Sequence, residues 1–485
     1  MRQEADQGGS TAARGLRTLA FGTVALNLGR LALLLGLSRL VAASDFGLLS
    51  VVSVVVNFSA FFADAGISNA LYQAVLPPAG VRASLFWLNV LLGAGMGLLL
   101  LAAAPWLADF YRMPDLHNVL FISVLGLVCT AAGAQHRVLL RRDMRFSTMF
   151  RIEALAFAAN AALSLAGAWM GHGVYALAAG TALNNLLTAL GYVWVAAPAY
   201  RPIWHFRVAE LRPFWGFGLY QMGERILNYL AERADALLIG KLLGAAPLGL
   251  YDVLKQLLGR PESIVNPVVA QATLPVMARR QADAAFVRRV FLRSLKLSNT
   301  LNFGVCAWVF CAAEPFLQVV LGSQWAGEAL LLRWLALFFM LHAAYNPFGA
   351  LQLAKGRVVY GFWWNLVLLL LTPVVVFVGA QWGTVGVAQA LCLFFAALAA
   401  PFFHFLLRPL SGASWGAYAD TFRLPLAIAV CSGAGGGLVA WSLQPWPWAA
   451  LPGSALVFSG VFVALVRRWQ PAVFRLLWRV LRGRW

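Results

Sequence analysis

The strongest constraint on this chain is a succession of apolar runs of roughly 20 residues, repeated along nearly all of its 485 residues. A helix of about 20 residues crosses a hydrocarbon core about 30 Å thick. No water-soluble core needs so many such runs. Within lipid, only helices and closed barrels satisfy their own backbone groups. The composition agrees, with 61% hydrophobic and 11% charged residues. The expected fold class is therefore an all-α, multi-pass membrane protein.

Fourteen spans are expected, at about 17–38, 46–63, 84–108, 116–136, 150–169, 174–197, 214–239, 248–274, 297–313, 329–353, 361–378, 385–407, 424–443 and 448–466. Basic residues set their orientation, because Lys and Arg accumulate on the cytoplasmic side. With the amino terminus inside, 28 of the 37 basic residues fall on that side. Three fall outside (Arg39, Arg112, Lys241) and six lie within spans (Arg30, Arg225, Arg233, Lys255, Arg260, Arg333). Both termini are thus expected in the cytoplasm. The net charge of +19 is mostly a topology signal. No nucleic-acid partner is expected, since the basic residues abut spans.

Several smaller features fit this frame. Arg14 and Arg17 precede an apolar stretch, as in a signal peptide, but Arg30 interrupts it and another span follows, so an uncleaved first helix is expected. In the tail, Phe474, Leu477, Trp478 and Leu481 share a helical face away from Arg475, Arg479 and Arg482. That pattern suits a helix lying on anionic phospholipids, and equally a solvated end that only fixes orientation. Trp106, Tyr111, Trp382, Trp446 and Trp448 are expected as interfacial anchors. Gly93/Gly97 and Gly433/Gly437 have the spacing of close helix contacts. Cys129, Cys306, Cys311, Cys392 and Cys431 form no CxxC pair and read as small packing residues.

A repeat organises the chain. "SRLVAASDFGLL" (38–49) and "GKLLGAAPLGLY" (240–251) match at an offset of 202, pairing Leu40 with Leu242, Ala43 with Ala245, Gly47 with Gly249 and Leu48 with Leu250. A second echo joins "GVYALA" (173–178) to "GTVGVA" (383–388). The expected organisation is an N-lobe over 1–205, a C-lobe over 206–410 and two further helices with a basic tail over 411–485. Each lobe has six helices, so the lobes form parallel repeats. The offset places Arg30 opposite Glu232 and Asp64 opposite Asn266.

Polar residues concentrate on the first two helices of each repeat. Gln221, Glu224, Asn228, Glu232 and Asp235 recur at steps of 3, 4, 4 and 3 along one face of the seventh span, flanked by Arg225 and Arg233. The eighth carries Asp252, Lys255, Gly259, Glu262 and Asn266 on one face, with Arg260 beside it. The first offers Asn27 and Arg30, and the second Ser50, Ser53, Asn57 and Asp64. A charge at mid-bilayer costs roughly 2.5–3.5 kcal/mol on insertion scales, so such residues mark function by default. The expectation is a hydrated cleft lined by these four spans. The plainer reading is that Glu and Arg pair merely to hold helices together. Arg333, Asp109 and Glu314 sit near span ends and are expected to reach toward the interface.

The chain has no GxxxxGK[ST] loop, no HExxH and no acidic loop cluster, and its six His residues lack ligand spacing. Neither catalysis nor a metal or organic cofactor is expected.

The segments "RADALLIGKLLGAAPLGLY" (233–251), "FLRSLKLSN", "LQLAKGRVVYGFWWN" and "LVAASDFGLLSVV" resemble the polysaccharide transporter branch of the multidrug/oligosaccharidyl-lipid/polysaccharide (MOP) flippase superfamily. The similarity extends over about residues 10–410. The resemblance implies two six-helix bundles, alternating access and a lipid-linked oligosaccharide, usually on undecaprenyl pyrophosphate, moved to the periplasmic leaflet of the bacterial inner membrane. It also implies partners in polysaccharide polymerisation and export. On that reading, Asn27, Arg30, Arg225, Asn228, Lys255 and Arg260 are the candidates for pyrophosphate and sugar, guanidinium groups being bidentate donors to phosphate. Asp64, Glu224, Glu232, Arg233, Asp235 and Glu262 are candidates for ion pairing, or for coupling to H+ or Na+. Glu224, Glu232 and Glu262 are expected to pair with the cleft cations, Glu232 with Arg30. The abundance of acids departs from a purely anion-binding site. It keeps a cation-coupled drug exporter open as an alternative, with a membrane polysaccharide polymerase or ligase, or a structural scaffold, behind it.

Overall fold

The computed structural model describes residues 22–64, 77–200, 203–345, 347–357 and 359–475. Gln221 has a described backbone only. Of the expected tail helix, Leu477, Trp478, Arg479, Leu481 and Arg482 lie outside the described residues, as do Arg14 and Arg17.

The long helices, in chain order, are α1 (Gly22–Leu37), α2 (Ala43–Asp64), α3 (Ala79–Tyr111), α4 (Leu116–Arg142), α5 (Phe146–Trp169), α6 (Gly173–Tyr200), α7 (Arg212–Leu242), α8 (Ala245–Arg279), α9 (Ala284–Cys311), α10 (Ala329–His342), α11 (Val359–Ala380), α12 (Gly383–Pro401), α13 (Trp415–Ser442) and α14 (Pro447–Trp469). Among the described residues, ten helical segments are long and apolar enough to cross a membrane. α9 followed by Ala313–Leu321, bent by 89°, makes an eleventh if the pair is one span. Length and apolarity thus do not reach the fourteen expected spans. α1 is described only from Gly22 on, and α7 and α8 are continuous helices interrupted by charge. The chain is a multi-pass helical membrane protein.

Contacts divide it into two compact units, residues 1–249 and 250–485. The division falls after the start of α8. α7 therefore packs with the first unit, where it lies on α2. Small residues allow the close contacts. A Cβ on Gly93 of α3 would stand 2.5 Å from Ala131 Cβ of α4, and one on Gly97 2.8 Å from Val124. This α2–α3–α4 junction is filled by Ala63, Leu100, Val124, Leu127 and Ala131.

The repeat motif has a structural counterpart inside this unit. The starts of α2 and α8 touch reciprocally: a Cβ on Gly47 would stand 2.7 Å from the Ala245 carbonyl carbon, and one on Gly249 2.7 Å from that of Ala43. The four residues are two pairs at the offset of 202. Tyr111, expected as an interfacial anchor, is instead buried and faces Gly240. Trp106, Trp382, Trp446 and Trp448 are exposed, as anchors are.

In the second unit α9 packs on α13, α13 on α14, and α10 on α9 and α12. Gly433 and Gly437 of α13 lie against Cys311 and let α13 approach α9 closely. An aromatic core joins Phe291, Phe348, Phe402, Phe403 and Tyr418. Arg333 and Glu314 do not reach separately for the interface. Arg333 donates to Glu314 at 3.1 Å, and Gln444 donates to the other carboxylate oxygen at 2.9 Å. The 89° bend after α9 is what brings Glu314 back to α10.

Candidate functional site

Within the first unit the polar faces of α2 and α7 meet. Asp64, half-buried at the end of α2, lies 3.8 Å from the exposed Arg225 guanidinium of α7. One helical turn further on, the Tyr229 hydroxyl donates to the Val54 carbonyl at 3.3 Å, and its ring meets Phe61 edge-on at 5.3 Å. An aromatic latch thus carries the ion pair from an otherwise apolar helix. Along the α7 stripe, Glu224 is half-buried, Asn228 and Glu232 are exposed, and Asp235 is buried and accepts from the Ala236 amide at 2.8 Å. Arg233, beside the stripe, is half-buried. On α1, Asn27 is half-buried and Arg30 exposed.

The expected pairings change accordingly. Among the described residues neither Arg30 nor Glu232 takes part in an ion pair, and Glu224 has none either. Arg225 takes Asp64 as its partner. Equivalence in a repeat gives two residues similar surroundings in related halves and does not bring them together. Arg30, Asn228 and Glu232 are left as exposed polar groups on apolar helices.

Within the second unit, α8 holds the other polar face. Asp252 is buried and accepts from Gln256 at 2.9 Å, the Lys255 ammonium sits 5.7 Å from the Tyr251 ring centre, and Arg260 is half-buried. Glu262 is buried, and its partner is not a cleft cation. His342 Nδ1 of α10 lies 2.9 Å from Glu262 Oε1, and Asn266 donates to the same oxygen at 3.4 Å. Ser298 of α9 donates to Asn266 Oδ1 at 2.9 Å, and Asn302 donates to Ser298 Oγ at 3.3 Å. The network runs across three helices. His342 was not visible from the sequence, because a single His at a helix end has no spacing partner.

A third polar cluster lies on the connection between α6 and α7. Glu210 accepts from Ser84 Oγ at 2.7 Å and lies 2.9 Å from His205 Nε2, Ser84 accepts from the Arg207 amide, and Trp204 stacks on Trp87 at 4.3 Å. The hydrogen bonds from His205 and Ser84 hold the Glu210 carboxyl below its usual range. This cluster fastens the connection to the start of α3.

A family of proteins described as polysaccharide biosynthesis proteins matches residues 36–330, which include Asp64 and all of α7 and α8. The chain belongs to this family. The teichuronic acid biosynthesis protein TuaB of Bacillus subtilis is 26% identical over 327 residues, 67% of this chain and 68% of that protein. The lipopolysaccharide biosynthesis protein WzxC of Escherichia coli is 26% identical over 395 residues, 81% and 80% of the two chains. Among solved structures, the lipid II flippase MurJ in an inward closed conformation superposes with a TM-score of 0.75 at 11% identity, covering 94% of this chain and 99% of that one. That likeness establishes the fold, which is also found in an inward-facing multidrug resistance MATE family transporter of the MOP superfamily, with a TM-score of 0.63 at 14% identity over 81% of this chain and 98% of that one. Asn27, Arg30 and His342 lie outside the family match.

Proposed function

We propose that the chain is a secondary transporter that flips a lipid-linked oligosaccharide, carried on undecaprenyl pyrophosphate, across the bacterial inner membrane for exopolysaccharide, capsule or O-antigen biosynthesis. The observation that carries this reading is the polar face of α7. Charged and amide side chains stay on an otherwise apolar helix, with Arg225 held at Asp64, in a family whose members serve polysaccharide biosynthesis. Such a face costs several kcal/mol against an apolar helix, and a purely structural bundle has no use for the exposed part of it. Arg30, Arg225, Lys255 and Arg260 supply fixed donors for a pyrophosphate, and Asn27 and Asn228 supply amides for sugar hydroxyls. The acids moderate that attraction, so that a polyanion once bound is also released. Both termini lie in the cytoplasm on this reading, where the basic connections meet anionic phospholipids and the polymerisation machinery takes over the product on the far side.

Deleting the gene should leave the lipid-linked oligosaccharide in the inner leaflet, shielded in spheroplasts from an added glycosidase, and complementation should restore access. Access unchanged by deletion would refute the reading. One observation favours a second: Glu224 and Glu232 carry no ion pair among the described residues, which suits a cationic ligand in a drug exporter. Drug resistance conferred by expression, with normal polysaccharide in the deletion strain, would select it.

A further inference from the structure

Glu262 stands seventeen residues from Ala245 and seventeen from Arg279, at the midpoint of α8. It also sits between two prolines, Pro261 and Pro267. Each proline removes a helical N–H and leaves a carbonyl one turn earlier without its partner, so this part of α8 is where the helix bends at least cost. The carboxylate is buried, yet it faces an imidazole and not a fixed cation.

We propose that Glu262 and His342 form a proton-binding site that couples transport to the proton gradient; the proposal rests on the transport reading above. Imidazole changes charge between about pH 5 and 8, whereas a guanidinium stays charged throughout. One proton taken up by the pair converts carboxylate and neutral imidazole, net charge −1, into a neutral pair. The proton resides on either partner and comes from the water that reaches the site. The neutral pair is cheap to enclose among the Phe338, Phe339 and Phe395 rings that surround His342. The anionic pair favours a conformation that admits water. Proton occupancy therefore biases two arrangements of a helix already weakened at Pro261 and Pro267, and a ligand shifts such an equilibrium only by its differential affinity for the two.

Among the described residues, these other titratable groups lie on the surrounding elements. On α8 there is the half-buried Arg260, two residues away, and Lys255, two turns away over Tyr251. α9 contributes the Cys306 thiol, within electrostatic reach of Glu262, besides the neutral Ser298 and Asn302. Arg333 of α10 is engaged by Glu314. Tyr345, just beyond α10, donates to the Phe395 carbonyl of α12, where Cys392 lies one turn earlier. His342 is the imidazole of this set, the side-chain type that changes charge near neutral pH.

The test uses purified full-length protein in liposomes. The readouts are the ratio of flipping rates of a lipid-linked oligosaccharide with and without an imposed pH gradient, and hydrogen–deuterium exchange across α8 at low and high pH. Wild type should show a ratio severalfold above one, and His342→Gln should bring it to one. A ratio unchanged by His342→Gln, or acceleration by a Na+ gradient in place of the pH gradient, overturns the site and leaves the transport reading standing. Absence of flipping by wild type under any gradient refutes the transport reading instead. The site is then decided by exchange: pH-dependent protection of α8 that His342→Gln abolishes supports it, and equal profiles overturn it. Glu262→Gln keeps a hydrogen-bonding side chain and gives the same outcomes if His342→Gln does not fold.

Discussion

Replacing Gly47 or Gly249 by Ala sets two physical effects against each other. Both glycines lie inside helices, where Ala is favoured over Gly by roughly 0.5–1 kcal/mol. Helix propensity alone therefore predicts a more stable protein. The packing predicts the reverse. A methyl group on Gly47 would sit 2.7 Å from the Ala245 carbonyl carbon and 2.9 Å from the Gly249 nitrogen, and nearer still to the Ala245 oxygen. The reciprocal group on Gly249 meets Ala43 and the Gly47 nitrogen in the same way. Ordinary contact begins at 3.4 Å, so the starts of α2 and α8 must part by at least 0.7 Å. Backbone cannot rotate aside as a side chain can. Overpacking costs typically about 1–3 kcal/mol, and a backbone clash belongs at the upper end, which leaves a net loss of about 2 kcal/mol. Each single variant should lower the melting temperature in detergent by a few degrees. The double variant should lose less than the sum, because helices parted for one methyl group have room for the other. Unchanged or raised melting temperatures would refute the close crossing of these two helix starts.

Three further outcomes follow. Arg225→Asp should impair export, and adding Asp64→Arg should partly restore it; the pair is half exposed, so its effect on melting should be small, about 0–1 kcal/mol, and absence of any restoration would exclude the pairing. For Glu210, whose carboxyl is held below its usual 4.5 by His205 and Ser84, the contribution to stability is present above that value and lost as pH falls through the lower folded one. The melting difference between wild type and Glu210→Gln should accordingly shrink on acidification, and a difference constant with pH would contradict the assignment. A cysteine introduced at Arg142 should resist an impermeant thiol reagent in intact cells and react after permeabilisation, in a background lacking the native cysteines, whereas labelling in intact cells would reverse the topology.

The fold class was legible because a bilayer imposes one pattern, long apolar helices, that the sequence cannot hide. The packing role of Gly93/Gly97 and Gly433/Gly437 was equally legible, since small residues at helical spacing have few other uses. The match of the two repeat segments was legible, but the close contact between Gly47 and Gly249 was not, because an alignment offset does not reveal which residues touch. The site was half legible. Periodicity identified the α7 stripe, yet partners depend on rotation and depth, so Arg225 takes Asp64 while Arg30 and Glu232 stay apart. Glu262 was found as an intramembrane acid, but its partner lies 80 residues away on another helix, beyond any local pattern. Tyr111 misled for a related reason. An aromatic ring at a helix end looks like an anchor unless a glycine on a neighbouring helix, here Gly240, makes room to bury it.

The most direct test of the central claim is transbilayer movement of a short-chain lipid-linked oligosaccharide with a fluorescent sugar, measured by dithionite quenching in liposomes containing only this protein. The account predicts that the quenched fraction rises with time beyond the outer-leaflet half, and that alanine at Arg30, Arg225, Lys255 and Arg260 together abolishes the rise while the protein still folds. A quenched fraction that stays at the outer-leaflet half with wild-type protein, under every imposed gradient, would contradict it.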